Sequence, residues 1–362
     1  MFEDNVVVPL DPTHTHRGIT GSILRMKDDS LLFIHAKELE PTSGWLESRR
    51  STDNGKTWDE PFWPFPVEEK LDTIAPTLMR LPSGEILLFY IFETLPARTP
   101  GWGDYTMTCD RHMYLRRSND EGQTWSHPIC AAHYPSICQA QPDEVVRLSS
   151  GRILIPVECP WPTSCERYVS FCFFSDDEGY SWWPSKNVVD TKNQTEEPSV
   201  VEMDDGRLVM VCRTRLGYLA RAYSEDSALT WSEPEMVKDL NEPCAGFHTV
   251  RIPTTGDLLT IFCNNPLAPA HYGGEEQPEV QVGELKIHLG AVRAPLATAI
   301  SQDEGKTWGH FRNITSDPEG APGDYGYPGL TWIDGDSVAL INYHALDGIH
   351  LARIGVDWFY GK

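Results

Sequence analysis

Two histidines stand one residue apart beside an arginine, in His14-Thr15-His16-Arg17. On an extended strand side chains i and i+2 share a face, so both imidazoles would point where Arg17 is placed to reach. Such a pair suits acid/base work or one edge of a metal site, whereas in a solvated N-terminal loop it does neither. Aspartates recur in a second pattern: Ser51-Thr-Asp53-Asn-Gly55-Lys-Thr57-Trp58, Ser118-Asn-Asp120-Glu-Gly122-Gln-Thr124-Trp125, Ser175-Asp-Asp177-Glu-Gly179-Tyr-Ser181-Trp182, Ser224-Glu-Asp226-Ser-Ala228-Leu-Thr230-Trp231 and Ser301-Gln-Asp303-Glu-Gly305-Lys-Thr307-Trp308. Calcium is the chemistry an Asp-rich loop suggests, but an EF-hand loop needs oxygen ligands at alternate positions and a closing bidentate Glu. These loops offer mainly one Asp each, so no metal is expected there. The nine cysteines lie scattered from Cys109 to Cys263 without a Cys-x-x-Cys pair, which reads as reduced, mostly buried thiols.

The Asp pattern is a folding device. Asp caps its own turn, Gly supplies positive φ, Thr closes the turn and Trp covers it with a large ring. Ala228 replaces the glycine in the fourth copy, which should strain that turn and leave it the least regular. A second repeat occurs six times: strand-like runs flank a polar turn within residues 23–34, 77–90, 144–157, 199–212, 248–262 and 329–341. Assigned to the two inner strands of a four-stranded blade, with the Asp turn joining the outer pair, six units make an all-β, six-bladed β-propeller spanning residues 1–362 as a single domain. The sixth unit is followed by one more strand, Gly348-Ile-His-Leu-Ala-Arg-Ile-Gly355, and no Asp turn. Residues 5–9 are therefore expected to supply the missing outer strand and close the ring. Long insertions at residues 94–109, 160–166 and 266–289 are candidates for lining a binding face.

Composition narrows the partners. Of the 362 residues 23% are charged and 40% hydrophobic, with 28 Gly and 28 Pro, a balance suited to a strand- and turn-rich globular protein. Against 53 Asp and Glu there are 30 Lys and Arg, a formal net charge of -23. Such a field repels a phosphate backbone and an anionic membrane surface alike, so neither nucleic acid nor membrane is an expected partner. An acidic small molecule would have to be met by arginines gathered locally. No signal-peptide pattern and no run of about 20 apolar residues is present, so the chain reads as cytoplasmic. Oligomeric state has no signature.

Five Asp boxes on six blades resemble the sialidase (neuraminidase) superfamily of BNR-repeat proteins, and the resemblance spans essentially the whole chain. The boxes themselves are only fold-specific. The resemblance implies a cofactor-free exo-glycosidase in which three arginines from separate blades hold the substrate carboxylate, a Tyr paired with a Glu is the nucleophile, and an Asp is the acid/base. His16-Arg17-Gly-Ile-Thr-Gly-Ser-Ile-Leu-Arg25 looks like the first arginine segment, giving Arg17. Val211-Cys212-Arg213-Thr214-Arg215 looks like the second, giving Arg213, and Glu197-Pro198-Ser199 stands where the Glu belongs. Val292-Arg293 looks like the third, on the strand entering the last Asp box, and Tyr325-Gly-Tyr327-Pro-Gly resembles the start of the final blade, with Tyr327 as nucleophile. Guanidinium forks suit a carboxylate. A neutral phenol, deprotonated by Glu197 as it attacks, avoids the repulsion an anionic nucleophile would meet beside that carboxylate.

One departure stands out. The stretch ahead of the first Asp box, Thr42-Ser-Gly-Trp-Leu-Glu47-Ser-Arg-Arg50, contains no Asp. Asp72, Asp110, Glu38 or a histidine, His16 among them, could replace the acid, and a carboxyl would need its pKa raised by burial; His248 and His344 are weaker candidates. Three functions remain open: a sialidase-type exo-glycosidase acting on a sialic acid or another carboxylated sugar, a uronate-directed lyase or glycosidase using the histidines, and a non-catalytic propeller that binds acidic glycans.

Overall fold

The computed structural model describes residues 1–9, 20–39, 43–66, 71–94, 110–134, 137–161, 164–266, 279–282, 285–288, 293–317 and 323–362. Six antiparallel sheets form six blades in a ring. Their inner strands are Gly21–Arg25, Leu71–Arg80, Val146–Arg147, Glu196–Glu202, His248–Arg251 and Gly326–Ile333. Blade 6 takes its outermost strand from the N-terminus: Phe2–Pro9 pairs antiparallel with Gly348–Gly355, in the place expected for residues 5–9. Blade 1 has three strands, extended by a bridge between Ser48 and Phe62.

Middle strands are covered on both faces by neighbouring blades, so they read as apolar runs rather than as alternation. Leu208–Arg213, Leu258–Cys263, Leu296–Ser301 and Val338–Ala345 are buried at every position. Part of the insertion at 266–289 is a hairpin, Glu279–Val282 with Leu285–His288.

All five Asp turns share one hydrogen-bond pattern. In the second, Gly122 N donates to Ser118 Oγ (2.9 Å), Ser118 Oγ to Asp120 Oδ1 (2.8 Å), and Thr124 N and Oγ1 to the two oxygens of Asp120 (2.9 and 2.5 Å). The Thr124 hydroxyl, its N–H and Ser118 lower Asp120 to about 2. Ala228 does not reshape its turn, contrary to expectation. It takes φ 71°, beside 75–88° for the glycines, and makes the same bond to Ser224 Oγ at 2.9 Å. An arginine of each preceding blade ties down the left-handed turn of the next: Arg50 to Glu121 O (3.0 Å), Arg117 to Glu178 O (2.6 Å), Arg152 to Ser227 O (2.8 Å), Arg221 to Gly305 O (2.5 Å), and Arg353 to Asn54 O.

Nearer the axis, six hydrogen bonds connect consecutive blades all the way round. They run from Leu78 N to Ser22 Oγ (3.0 Å), Asp143 N to Pro76 O (3.2 Å), Glu197 N to Glu158 Oε2 (2.7 Å), Thr249 N to Ser199 Oγ (3.1 Å), Tyr327 N to Gly246 O (3.3 Å) and Thr331 Oγ1 to Ile23 O (2.9 Å). No helix among the described residues is long and apolar enough to cross a membrane.

Candidate active site at the head of the central channel

The inner strands of blades 2, 4 and 6 share one motif, Ala75-Pro76-Thr77, Glu197-Pro198-Ser199 and Tyr327-Pro328-Gly329. Each carries a register shift at that point, and the residue before the proline is left-handed, with φ 53°, 47° and 52°. A bulge leaves a residue unpaired and re-aims its side chain. A non-glycine residue in that region costs about 1–3 kcal/mol, sustained only where neighbours enforce it; here the inter-blade bonds to Glu197 N and Tyr327 N do so. Glu197 and Tyr327, two blades apart, consequently meet: the Tyr327 hydroxyl donates to Glu197 Oε1 at 3.5 Å. Gly246 lies under the ring, where a Cβ would come 2.5 Å from Tyr327 Cδ1 and 2.9 Å from its backbone N.

Arg213 ends the second strand of blade 4, in register opposite Glu196. Its Nη2 is 2.7 Å from Glu196 Oε2, its Nη1 pairs with Glu197 Oε1, and its Nε donates to Cys244 Sγ at 3.1 Å. Arg293 precedes the third strand of blade 5, Leu296–Ser301, rather than lying on it, and forms a parallel bridge with Asp324. Its Nη2 donates to Cys244 O at 3.1 Å and its Cζ is 5.8 Å from the centre of the Tyr327 ring. Burial opposes the charge of both arginines, but it is outweighed by Cys244, Glu196 and Glu197 around Arg213, and by Tyr327 and Asp324 around Arg293, so both pKa values are raised. Nε and Nη1 of Arg293 are buried without a hydrogen-bond partner among the described residues, although Nη1 lies 3.8 Å from Asp324 Oδ1 in an ion pair. Each such group costs about 1–3 kcal/mol, a cost an incoming carboxylate would remove through a fork-to-fork contact.

Carboxyl groups crowd behind this pair. Burial pushes Glu158 up to about 8, helped by the neighbouring Glu196 and Glu197. Burial also lifts Glu242 to about 8 against the pull of Arg213 and Arg293. Glu197 is raised too, by burial first, with Arg213 opposing. Burial thus opposes the charged form of Glu158 and Glu242, although both oxygens of each accept N–H hydrogen bonds. Sequence reasoning did not single out Glu158, Glu242, Cys244 or Asp324. A signal existed for the first two: Glu158 interrupts the apolar run Ile153-Leu-Ile-Pro-Val157, and Glu242-Pro243 repeats Glu197-Pro198.

His14, His16 and Arg17 lie outside the described residues. Asp72 and Asp110 sit on blade 2 opposite Glu93 and Thr94, and Glu38 on blade 1 opposite Gly44, but their side chains are likewise outside what is described. His248 is buried in a 2.7 Å contact with Glu144 Oε1, and His344 Nε2 is 3.9 Å from Asp324 Oδ2. Among the described residues no three His, Cys, Asp or Glu are grouped to hold a metal.

Comparison with known proteins agrees with this architecture. A sialidase of Micromonospora viridifaciens is 25% identical over 348 residues, covering 89% of this chain and 48% of that protein. A sialidase of Bacteroides fragilis (strain YCH46) is 25% identical over 307 residues, covering 72% of this chain and 50% of that protein. The chain thus spans about half the length of the curated relatives it matches. Among solved structures, the Hadza microbial sialidase Hz136 superposes with a TM-score of 0.75 at 19% identity, covering 98% of this chain and 69% of that one. The BNR repeat-like domain matches residues 67–338; with its six blades and five Asp turns, the chain belongs to that family, within the sialidase superfamily.

Proposed function

We propose that this protein is an exo-glycosidase of the sialidase type, acting on a sialic acid or another carboxylated sugar and retaining configuration through a Tyr327 intermediate. The observation that carries the reading is the meeting of Tyr327 with Glu197 beside Arg213 and Arg293. In the reaction the Tyr327 oxygen bonds to the anomeric carbon, Glu197 takes the phenolic proton, and the glycosidic C–O bond breaks with its electron pair on the leaving oxygen. Water then attacks the same carbon as the bond from that carbon to the Tyr327 oxygen breaks with its electron pair on the phenolic oxygen; the excess proton of the water passes to solvent, and Tyr327 recovers its own proton from Glu197. Glu197 Oε1 already accepts the Tyr327 hydroxyl, and burial raises the Glu197 carboxyl, which suits that oxygen to receive the proton. Arg293, with Arg213 and Arg17, would take the sugar carboxylate. The partner is then a glycan or small molecule bearing that carboxylate, its negative charge met by local arginines within a chain of net charge -23.

The test is hydrolysis of a fluorogenic aryl sialoside, whose good leaving group needs little help from an acid. Tyr327→Phe is expected to lower kcat by about 10²-fold or more while shifting stability by less than about 1 kcal/mol. Full activity in both Tyr327→Phe and Arg213→Ala rejects the mechanism. Turnover of aryl uronides with inertness toward the sialoside moves the substrate to the uronates, and binding of acidic glycans without turnover makes the propeller a lectin-like module.

A further inference from the structure

Glu197 reaches Tyr327 only because its backbone is held left-handed, at φ 47°, where blade 4 begins. That conformation points the Glu197 N–H away from its own sheet, and the register between Glu196 and Ser199 skips it. A buried backbone donor needs a partner. It finds one on the preceding blade: Glu197 N donates to Glu158 Oε2 at 2.7 Å.

Glu158 is itself fixed. It sits on the second strand of blade 3, Ile153–Trp161, and its backbone exchanges hydrogen bonds with Gln139 at 3.2 and 2.8 Å. The Gln139 side-chain amide donates to Glu158 Oε1, and Arg111 Nη1 donates to Gln139 Oε1 at 2.8 Å. Arg111 in turn donates from Nε to Glu93 Oε2 at 2.7 Å. A chain of polar contacts therefore runs from blade 2 through blade 3 to the head of blade 4. The groups it touches are Arg111 and Glu93 at one end and Glu196, Glu197 and Arg213 at the other, with Tyr168 alongside.

We propose that Glu158 is a positioning residue for Glu197: by accepting the Glu197 N–H it holds the left-handed turn that aims the Glu197 carboxylate at the Tyr327 hydroxyl. This rests on the Tyr327–Glu197 reading above. Glu158 takes no part in bond making. The polar chain behind it makes the aim of Glu197 depend on residues of blades 2 and 3 that face no substrate. Both Glu158 oxygens accept, Oε1 from the Gln139 amide and Oε2 from the Glu197 N–H, so the carboxyl is held from two sides.

The experiment uses the full chain as wild type, Glu158→Ala and Glu158→Gln, read by two measurements. The first is kcat and KM on the fluorogenic aryl sialoside across pH 5 to 9. The second, which does not require activity, is hydrogen exchange at the Glu197 amide. In Glu158→Ala kcat is expected to fall about 10²-fold, the scale of a misplacement near 1 Å, with KM within about threefold and faster exchange at Glu197. In Glu158→Gln the amide oxygen can still accept the Glu197 N–H, while its NH2 meets the Gln139 amide that donates to Oε1 in the wild type, so kcat is expected to fall less than in Glu158→Ala. Unchanged exchange at Glu197 in Glu158→Ala overturns the proposal whether or not the protein is active. So does a rise in KM with kcat intact. A wild type inert toward the sialoside counts against the catalytic reading alone, and the exchange measurement still decides the role of Glu158. Should Glu158→Ala fail to fold, Glu158→Gln carries the test: faster exchange at the Glu197 amide with wild-type kcat overturns the proposal.

Discussion

Gly246 offers the sharpest perturbation of the proposed nucleophile, because it touches Tyr327 without carrying any chemistry of its own. A methyl group added there would sit 2.5 Å from Cδ1, 2.8 Å from Cε1 and 2.9 Å from the backbone N of Tyr327. Ordinary contact begins near 3.4 Å, so ring and methyl must separate by the difference, about 0.9 Å. The ring cannot simply swing aside, since the backbone N of Tyr327 is crowded as well and is bonded to Gly246 O at 3.3 Å. Overpacking of this kind costs about 1–3 kcal/mol, and a displacement near 1 Å at a reacting atom costs about 10²-fold in rate. Gly246→Ala is therefore expected to lose about 10²-fold in kcat on the aryl sialoside, with a smaller change in KM because Arg293 stays in place, and to melt a few degrees lower. Gly309→Ala is the control: a Cβ there meets nothing within 4 Å, and it should match the wild type in both measurements. A Gly246→Ala variant with kcat/KM within about threefold of wild type would refute the idea that the Tyr327 oxygen does the attacking.

Two further outcomes follow from the buried groups. Glu158 and Glu242 are lifted from 4.5 to about 8, so between those values the folded chain holds protons that the unfolded chain has released. Stability should fall as pH rises from about 5 to 8, by up to about 1.4 kcal/mol per pH unit for each group, and Glu242→Gln should flatten part of the slope; a wild-type urea midpoint that does not change over this range contradicts it. The Asp-turn carboxylates act in a separate window, since Asp53, Asp120 and Asp177 are lowered to about 2 and their contribution is lost only as pH falls below the usual carboxylate range. Ala228→Gly should be nearly neutral: it relieves a left-handed penalty of about 1 kcal/mol but removes a fully buried methyl worth about 0.8 kcal/mol. A stability shift beyond about 1 kcal/mol in chemical denaturation would mean that the Ala228 turn is held by something other than this balance.

The repeat determined the ring. Ser-x-Asp-x-Gly-x-Thr-Trp is a local program, each turn satisfied by its own Ser, Asp and Thr within eight residues, so spacing along the chain was enough to place five turns, six blades and the closing role of the N-terminal strand. Arg213, Glu197, Arg293 and Tyr327 came from the resemblance to sialidases, which could be laid on the chain because each lies at or beside the end of a strand that the repeat locates. What the chain order could not supply is contact between blades. Whether Tyr327 meets Glu197 depends on two left-handed residues 130 positions apart being turned toward the same axis. The upward shift of Glu158 and Glu242 comes first from desolvation, which exists only once neighbouring blades close over them. Even Ala228 follows this division: its type argued for a distorted turn, but the surrounding hydrogen bonds and core packing imposed the geometry of its four glycine counterparts. Local hydrogen bonding is written in the residues that make it, whereas burial and the aim of a side chain across the channel arise only from the assembled ring.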